Sequence, residues 1–274
     1  MSFEGKTVFI SGGSRGIGKA IGIKLASAGA NIVIAAKSIE EHPKLGGTIY
    51  SAAAEMQEAG GRSMALQLDI RFEDQIEAAV KQAAEYFGGI DILINNASAI
   101  SLTGTEKTDS KRFDLMHDIN VRGTFLLTRA CLPYLRKGNN PHILTLSPPL
   151  NLQPRWFAGH VAYTMSKYNM SMMTLGWAEE FRQEGIAANS LWPRTTIDTA
   201  AVRNLLGGET LAKMSRKPEI LADAAFYILQ KPVTTTGNFF IDESVLAAEG
   251  ITDLSTYSVV PGGKLYTDLF LEEE

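Results

Sequence analysis

The chain has 274 residues, of which 45% are hydrophobic and 20% charged, so it is long enough for one large globular domain with a sizeable core. The formal net charge of −4 argues against a nucleic-acid or anionic-membrane partner, because such partners bind basic surfaces. A single cysteine, Cys131, excludes an internal disulfide and fits a reducing compartment. The sequence shows neither a signal peptide nor an apolar run long enough to span a membrane, so we expect a cytoplasmic protein.

Short β-branched runs alternate with longer helical patterns along the chain. The runs predict seven strands, at 7–11, 31–36, 63–69, 91–95, 142–147, 186–192 and 237–242. Helical periodicity lies between them, for example at 16–29, 73–87, 110–136, 161–184 and 219–231. The alternation predicts an α/β fold, with residues 1–274 forming one domain around a doubly wound parallel sheet of about seven strands. Loops are predicted at 38–48, 148–160 and 193–218, and the last two leave the strand ends where such sheets bind ligands.

A glycine-rich turn follows the first predicted strand and runs directly into a helix. Its sequence is Gly12-Gly13-Ser14-Arg15-Gly16-Ile17-Gly18. Glycine lets such a turn close tightly, and it lets backbone N–H groups and a helix N-terminus approach phosphate. A purely structural turn is the alternative, but the position after the first strand favours a Rossmann-type dinucleotide site.

The end of the second strand bears on the choice of nicotinamide cofactor. An NAD site places Asp or Glu there for the ribose 2′-hydroxyl, whereas an NADP site uses a cation for the 2′-phosphate. Here the strand ends Ala35-Ala36-Lys37-Ser38 without an acid, and Arg15 lies inside the phosphate turn. These two cations predict NADP(H) rather than NAD(H), unless Lys37 is only a solvated loop lysine.

Tyr163 and Lys167 are four residues apart on a predicted helix, so their side chains project from one face. Tyrosine has a pKa of about 10 and is a poor acid or base at neutral pH. A neighbouring ammonium group favours the phenolate and lowers that pKa, which general acid–base catalysis requires. The pattern alone is weak, but its position after the fifth strand, in a chain with a phosphate turn, favours a redox site.

Several motifs occur in an order typical of one enzyme family. They are SGGSRGIG, Asp69 after the third strand, NNA at 95–97, Asn120 in DINVRGT, and YTMSK. The chain resembles the short-chain dehydrogenase/reductase family over almost its whole length, to about residue 245. This resemblance implies an oxidoreductase that interconverts a carbonyl and a secondary alcohol and works as a homodimer or homotetramer.

The resemblance also implies a role for each matching residue. Tyr163 would exchange a proton with the substrate oxygen, and Asp69 would contact the adenine. Lys167 would hold the nicotinamide ribose and lower the tyrosine pKa, and Asn120 would place a water that links Lys167 to solvent. The implied cofactor-binding set is Gly12, Ser14, Arg15, Gly16, Ile17, Gly18, Lys37, Asp69, Asn96, Lys167, Ile197 and Thr199.

The chain departs from the family where a serine normally hydrogen-bonds the substrate carbonyl, about thirteen residues before Tyr163. Counting back gives Leu150, and aligning on the strand end gives Pro148, which has neither a hydroxyl nor an N–H group. Ser147 is one residue early, so its side chain is expected on the opposite side of the strand. Three interpretations stay open: Ser147 is the donor, another group such as Asn151 replaces it, or the site has no dedicated donor.

Other residues near the predicted crevice bear on the substrate. Arg194 could bind an acidic group such as the phosphates of a CoA thioester, although a solvated loop arginine is the simpler interpretation. Apolar loop residues favour a lipophilic small molecule of steroid or fatty-acyl type: Trp156, Phe157, Trp192, Leu205, Leu206 and Met214. No metal site is predicted, because ligand spacing is lacking around the four histidines, His42, His117, His142 and His160. A cofactor-binding sensor or scaffold with vestigial catalysis is the alternative from another class.

Overall fold

The sheet of this protein has seven parallel strands. The computed structural model describes residues 3–41 and 46–272. The strands are β1 (Thr7–Ser11), β2 (Asn31–Ala36), β3 (Arg62–Gln67), β4 (Ile92–Asn95), β5 (His142–Thr145), β6 (Ala187–Trp192) and β7 (Phe239–Ile241). Their order is β3-β2-β1-β4-β5-β6-β7, and every neighbouring pair is parallel. The predicted doubly wound sheet is confirmed, and its order switches between β1 and β4, where such folds bind ligands.

Helices cover both faces of the sheet. They are α1 (Gly16–Ser27), α2 (Ile49–Glu58), α3 (Glu73–Phe87), α4 (Ser110–His117), α5 (Thr124–Leu135), α6 (Val161–Glu180), α7 (Gly208–Lys213), α8 (Glu219–Gln230) and α9 (Asp242–Ala248). One core packs α1, α2, α8 and α9 against the sheet, and a second core packs α3, α5 and α6 on the other face. Helix α7 lies inside the predicted loop 193–218, so that segment is partly helical.

The predicted helix 110–136 is interrupted by a π-helical turn from Asp118 to Gly123, which is wider than an α-helical turn. An added Cβ on Gly123 would lie 2.9 Å from the carbonyl oxygen of Ile70, so only glycine lets the chain pass this close. Wide turns of this kind frequently mark functional sites, because the local bulge re-aims a side chain. Here the turn carries Asn120 into the interior, where it is fully buried.

Two kinds of feature are absent from residues 3–41 and 46–272. No helix there is long and apolar enough to cross a membrane. No group of three or more His, Cys, Asp or Glu side chains there could hold a metal ion. His42 lies outside the described residues.

His142 at the start of β5 makes stability sensitive to acid. It is 1% exposed, and its Nε2 lies 3.1 Å from the carbonyl oxygen of Lys231. Burial lowers the pKa of His142 from 6.5 to about 4. The unfolded chain therefore binds a proton on this side chain that the folded protein does not bind. The free energy of unfolding consequently falls as the pH drops from 6.5 towards 4.

We expect this group to remove about 2–3 kcal/mol of stability between neutral pH and the lower end of that window. Urea unfolding of the wild type and of His142→Asn, at pH near 7 and near 4.5, measures the effect. The variant lacks the titrating imidazole and should lose correspondingly less stability on acidification. Equal losses in the two proteins would show that another group dominates the acid response.

Candidate active site

A cavity of about 390 Å³ opens at the carboxyl ends of β1, β2 and β4. Nine of the twelve residues predicted to bind the cofactor line it: Gly12, Ser14, Arg15, Gly16, Ile17, Lys37, Asp69, Asn96 and Thr199. Of the other three, Gly18 lies behind the turn against Asn96, Ile197 is buried in the core, and Lys167 lies on α6. The structure therefore brings most of the predicted set to one crevice at the switch point of the sheet.

Glycine is required at two positions of the phosphate turn. Gly12 has φ +72°, and a Cβ there would lie 2.9 Å from Cα of Ala97. A Cβ on Gly18 would lie 2.5 Å from Nδ2 of Asn96. That amide donates hydrogen bonds to the carbonyl oxygens of Ser11 (3.0 Å) and Gly12 (2.9 Å). Asn96 therefore braces the turn as well as lining the cavity.

The charge around the cavity suits a phosphorylated ligand. Helix α1 begins at Gly16 in the cavity wall and carries no acid in its first turn, so the positive end of its dipole is not neutralised. Arg15 reaches the end of β2, where its Nη2 donates to Oγ of Ser38 (2.8 Å) and to the carbonyl of Gly47 (3.0 Å). Its Nε is buried without an acceptor among the described residues. Exposed Lys37 lies beside Ser38 in the same wall.

Asp69 follows β3 and lines the cavity. Arg71 contacts both of its carboxylate oxygens, with Nη2 2.5 Å from Oδ2 and Nε 2.9 Å from Oδ1. The side-chain hydrogen bond from Arg71 lowers the pKa of Asp69, so this acid stays an ionised acceptor at neutral pH.

Tyr163 and Lys167 both point into the protein from α6. Tyr163 is 5% exposed and Lys167 is 2% exposed. The ammonium of Lys167 donates to the carbonyl oxygen of Leu146 (2.6 Å), just beyond β5, and lies 5.1 Å from the ring centroid of Trp192. Leu146 in turn donates its N–H to the carbonyl of Asn95 at the end of β4. The pair therefore lies next to the strand end that borders the cavity.

Asn120 is held between α6 and the loop after β4. Its Oδ1 accepts from the N–H of Ala99 (2.7 Å), and its Nδ2 donates to the carbonyl of Ala99 (2.9 Å). The same Nδ2 donates to Oγ of Ser166, the residue before Lys167 (2.9 Å). The structure thus brings Tyr163, Lys167 and Asn120 to one end of the sheet.

The electrostatics of this pair differ from the sequence expectation. Burial raises the pKa of Tyr163, and the nearby carboxylate of Asp268 raises it further. Burial also lowers the pKa of Lys167, and Asp268 opposes that shift. In this conformation the tyrosine pKa shifts in the direction opposite to the one expected from Lys167, because burial of the phenol disfavours its charged form.

Comparison with known proteins places the chain in a family. Residues 6–209 match the family model described as short chain dehydrogenase. The chain belongs to the short-chain dehydrogenase family. Proteins named hydroxysteroid dehydrogenase-like protein 2 are similar to it, at 57% identity over 270 residues for Bos taurus and 58% over 268 residues for Danio rerio. In both comparisons 98% of this chain is covered but only 64% of the relative, so the chain spans less than two thirds of their length.

A solved dehydrogenase from Xanthomonas campestris shares the whole fold of this short-chain dehydrogenase. It is 54% identical, superposes with a TM-score of 0.96, and is covered over 100% of both chains. The family binds a nicotinamide cofactor and catalyses oxidation and reduction of small molecules. The predicted family is therefore confirmed.

In this short-chain dehydrogenase the hydroxyl group of Ser147 is not placed like the carbonyl donor that the family pattern implies. Oγ of Ser147 lies 2.8 Å from Oγ of Ser190, which donates to Oγ1 of Thr174 (3.1 Å). Ser147 therefore has a partner on β6 rather than Tyr163. The side chain of Asn151 is also engaged, with Nδ2 3.4 Å from Oε1 of Glu272. Ser147 can donate to a substrate carbonyl only by giving up Ser190, whereas the amide of Asn151 carries a second N–H group.

Tyr163 of this short-chain dehydrogenase is covered by a segment that was not predicted from the sequence, here called the covering segment (residues 264–272). Phe270 of this segment is buried, and its ring centroid lies 6.4 Å from that of Tyr163. Further aromatic rings surround it at centroid distances of 5.2–6.4 Å: Trp156, His160, Tyr168 and Trp192. The only available sequence signal is the apolar run at 269–271, which has no helical or strand periodicity.

Proposed function

We propose that this protein is an NADP(H)-dependent oxidoreductase that interconverts a carbonyl and a secondary alcohol, with Tyr163 as the general acid and base. The observation that carries the proposal is the position of Lys167, whose ammonium bonds Leu146 beside the end of β4. That strand end borders the crevice built by the phosphate turn. A proton-transfer pair and a crevice lined by the phosphate turn therefore adjoin, as carbonyl reduction requires.

Three side chains of this protein have separate roles in the proposed reaction. Tyr163 donates its phenolic proton to the carbonyl oxygen in reduction and accepts one in oxidation. Lys167 supplies a positive charge from the same helix, although burial and Asp268 keep the pKa of Tyr163 raised in this conformation. Asn120, fixed by Ala99 and Ser166, holds α6 against the cofactor crevice. The nicotinamide, when bound, supplies or accepts the hydride.

The choice of NADP(H) rests on the groups at the end of β2. Arg15 and Ser38 already share a hydrogen bond there, and the Nε of Arg15 has no acceptor among the described residues. Lys37 adds a second positive charge at the same wall of the cavity. A 2′-phosphate would satisfy the free N–H group and neutralise both cations, whereas a bare 2′-hydroxyl would do neither.

Arg15→Ala is expected to weaken NADPH binding about 10- to 100-fold, the loss typical of a hydrogen-bonded charge pair. Affinity for NADH should change much less, because the 2′-phosphate is absent there. Calorimetric titration of both proteins with both cofactors measures the two ratios, and NADH serves as the internal control. A wild type that prefers NADH would contradict the assignment.

The surroundings of Tyr163 support a lipophilic substrate. Five aromatic side chains lie near it, on α6 or on the flanking segments: Trp156, Phe157, Tyr168, Trp192 and Phe270. Such walls favour an apolar molecule of steroid or fatty-acyl type over a small polar one. Leu205, which was predicted to wall the same pocket, lies at the cofactor cavity instead.

A homo-oligomer is proposed from the outer face of α6. Met165, Met172 and Leu175 are 43%, 51% and 41% exposed on this helix, and Phe125 of α5 is 46% exposed. Exposed apolar side chains that share one helix face often mark a protein–protein contact. Light scattering during size-exclusion chromatography should give the molar mass of a dimer or a tetramer. A monomeric mass would refute the proposal.

A cofactor-binding sensor without turnover is the second candidate, and two observations favour it. Ser147 is bonded to Ser190, and Tyr163 is covered by Phe270. The retention of Tyr163, Lys167 and Asn120 in one buried cluster favours the enzyme. Incubation with NADPH and a panel of steroid, acyl and quinone carbonyls separates them, since a sensor binds the cofactor and reduces none.

A further inference from the structure

The covering segment places an aromatic ring where a substrate must approach Tyr163. The rings of Phe270 and Tyr163 are inclined by only 29°, with their centroids 6.4 Å apart. Phe270 is 1% exposed, and Tyr163 is left 5% exposed. Phe270 therefore covers one face of the Tyr163 ring and leaves a substrate little room beside the phenol.

Phe270 adopts a backbone conformation that aromatic residues avoid. Its φ is +75°, in the left-handed region where only glycine is unstrained. Tertiary contacts hold it there, including the hydrogen bond from Nε1 of Trp192 to the carbonyl of Leu269 (3.0 Å). Release of the segment relieves this strain, which lowers the free-energy cost of opening.

A cluster of polar groups binds the acidic side chain of Glu272 at the end of the covering segment. The carboxylate of Glu272 accepts from Nδ2 of Asn151 (3.4 Å) and Nε2 of Gln153 (2.9 Å), and it pairs with Arg155. The guanidinium of Arg194 donates to the carbonyl oxygen of Glu272 (3.4 Å). These four side chains, here called the anion cradle, belong to the two loops predicted to hold the substrate.

Two further observations indicate that the site takes a ligand. A surface cavity of about 530 Å³ lies between residues 149–152, Arg194 and the end of the covering segment. The indole N–H of Trp156, whose ring packs 6.1 Å from that of Phe270, is buried without an acceptor among the described residues. A buried donor of this kind is expected to find an acceptor on a bound molecule.

We propose that the covering segment occupies the substrate's own site, with Phe270 in the position of its apolar body and Glu272 in the position of an acidic group. The substrate is then an apolar carbonyl compound bearing a carboxylate or phosphate, and it binds by displacing the segment into the open form. The assignment of a carbonyl group rests on the proposed function. The displacement by an apolar anion does not, so it can be tested without turnover.

A cysteine reporter measures opening directly. The chain's single cysteine, Cys131, is fully buried and its pKa is raised by that burial, so it reacts slowly with maleimide. Leu271→Cys places a thiol in the covering segment at a position that is 8% exposed. Labelling of Cys131 in the wild type gives the background, and Leu152→Cys, at a position 76% exposed, gives the unprotected rate.

Added to the reporter, Glu272→Gln should speed labelling about two- to fivefold, the effect of losing an exposed ion pair. Phe270→Ala should speed it at least about tenfold, because the segment loses its buried anchor. Glu249→Gln is the matched control, since it removes a carboxylate paired with Lys231 far from the cradle. Decanoate and decyl phosphate, below their micellar concentrations, should both accelerate labelling of the reporter, whereas decan-1-ol should not.

Two results would overturn the proposal. The reporter could label as fast as Leu152→Cys, which would mean that the segment does not cover the site. Decan-1-ol could act as strongly as the two anions, which would remove the requirement for an acidic group.

Hydrogen exchange on the unmodified protein tests the same opening without the cysteine substitution, which could itself disturb the fold. The N–H groups of Tyr266 and Asp268 bond the carbonyls of Met214 (2.9 Å) and Arg194 (3.0 Å), and decanoate should increase their exchange.

Discussion

Replacing Tyr163 with phenylalanine is expected to lower kcat/KM for carbonyl reduction by about 10²–10⁴-fold, the usual contribution of a positioned general acid. The ring itself, and with it the packing against Phe270, is retained. Folding stability and NADPH affinity should therefore stay near wild type. The loss should appear in kcat rather than KM, because only the proton transfer is removed.

Steady-state kinetics with NADPH and whichever carbonyl the wild type reduces measure this effect. Tyr86→Phe is a suitable control, because Tyr86 is 57% exposed on α3 and remote from the crevice. It removes the same hydroxyl group without touching the site. Wild-type turnover in Tyr163→Phe would show that another group transfers the proton.

Gly18→Ala is expected to weaken NADPH binding at least about tenfold. The new Cβ would lie 2.5 Å from Nδ2 of Asn96, so the amide must move. It would then lose its hydrogen bonds to Ser11 and Gly12, which hold the phosphate turn. We expect a stability loss of about 1–3 kcal/mol from these two bonds alone.

Gly176→Ala makes the matching control for that substitution. Gly176 is also a helical glycine, but an added Cβ there meets nothing within 4 Å. Alanine should stabilise α6 by about 0.5–1 kcal/mol and leave cofactor affinity unchanged. Calorimetry and thermal unfolding of both variants provide the comparison. Undiminished NADPH binding by Gly18→Ala would mean that the turn does not hold the cofactor.

The sheet could be predicted from sequence because its strands are buried on both faces. Strand β1 and the first five residues of β2 are completely buried, and such strands read as continuous apolar runs bounded by polar turns. Strand ends were less certain, so the predicted strand 142–147 stops at Thr145 in the structure. The apolar run in the sequence shows which residues belong to the strand. It does not show where the last hydrogen bond to the neighbouring strand forms.

The helix from Ile49 to Glu58 was absent from the predicted windows. Its inward face is built mainly from alanine, at Ala52 and Ala53, with Met56 as the largest buried side chain beyond Ile49. Alanine contributes little to a hydrophobic periodicity even where it packs fully. The wide turn at 118–123 was hidden for a different reason, since its residues continue the helical pattern without a break.

The candidate site shows the same division between local and distant determinants. Tyr163 and Lys167 were predicted because four residues separate them on one helix. The direction of Ser147 depends on Ser190, which is 43 residues away in sequence, so no local pattern reveals it. The covering segment reaches Tyr163 from more than a hundred residues further along the chain, and its Asp268 adds to the rise in the tyrosine pKa that burial causes.

Transfer of deuterium from NADPH labelled at C4 of the nicotinamide tests the central proposal most directly. The protein is incubated with the labelled cofactor and a panel of lipophilic carbonyl compounds, with and without an acidic group, and the products are examined by mass spectrometry. We predict an alcohol that carries one deuterium on its carbinol carbon, formed by the wild type and not by Tyr163→Phe. Tight NADPH binding with no labelled alcohol from any carbonyl would contradict the enzyme and favour the sensor.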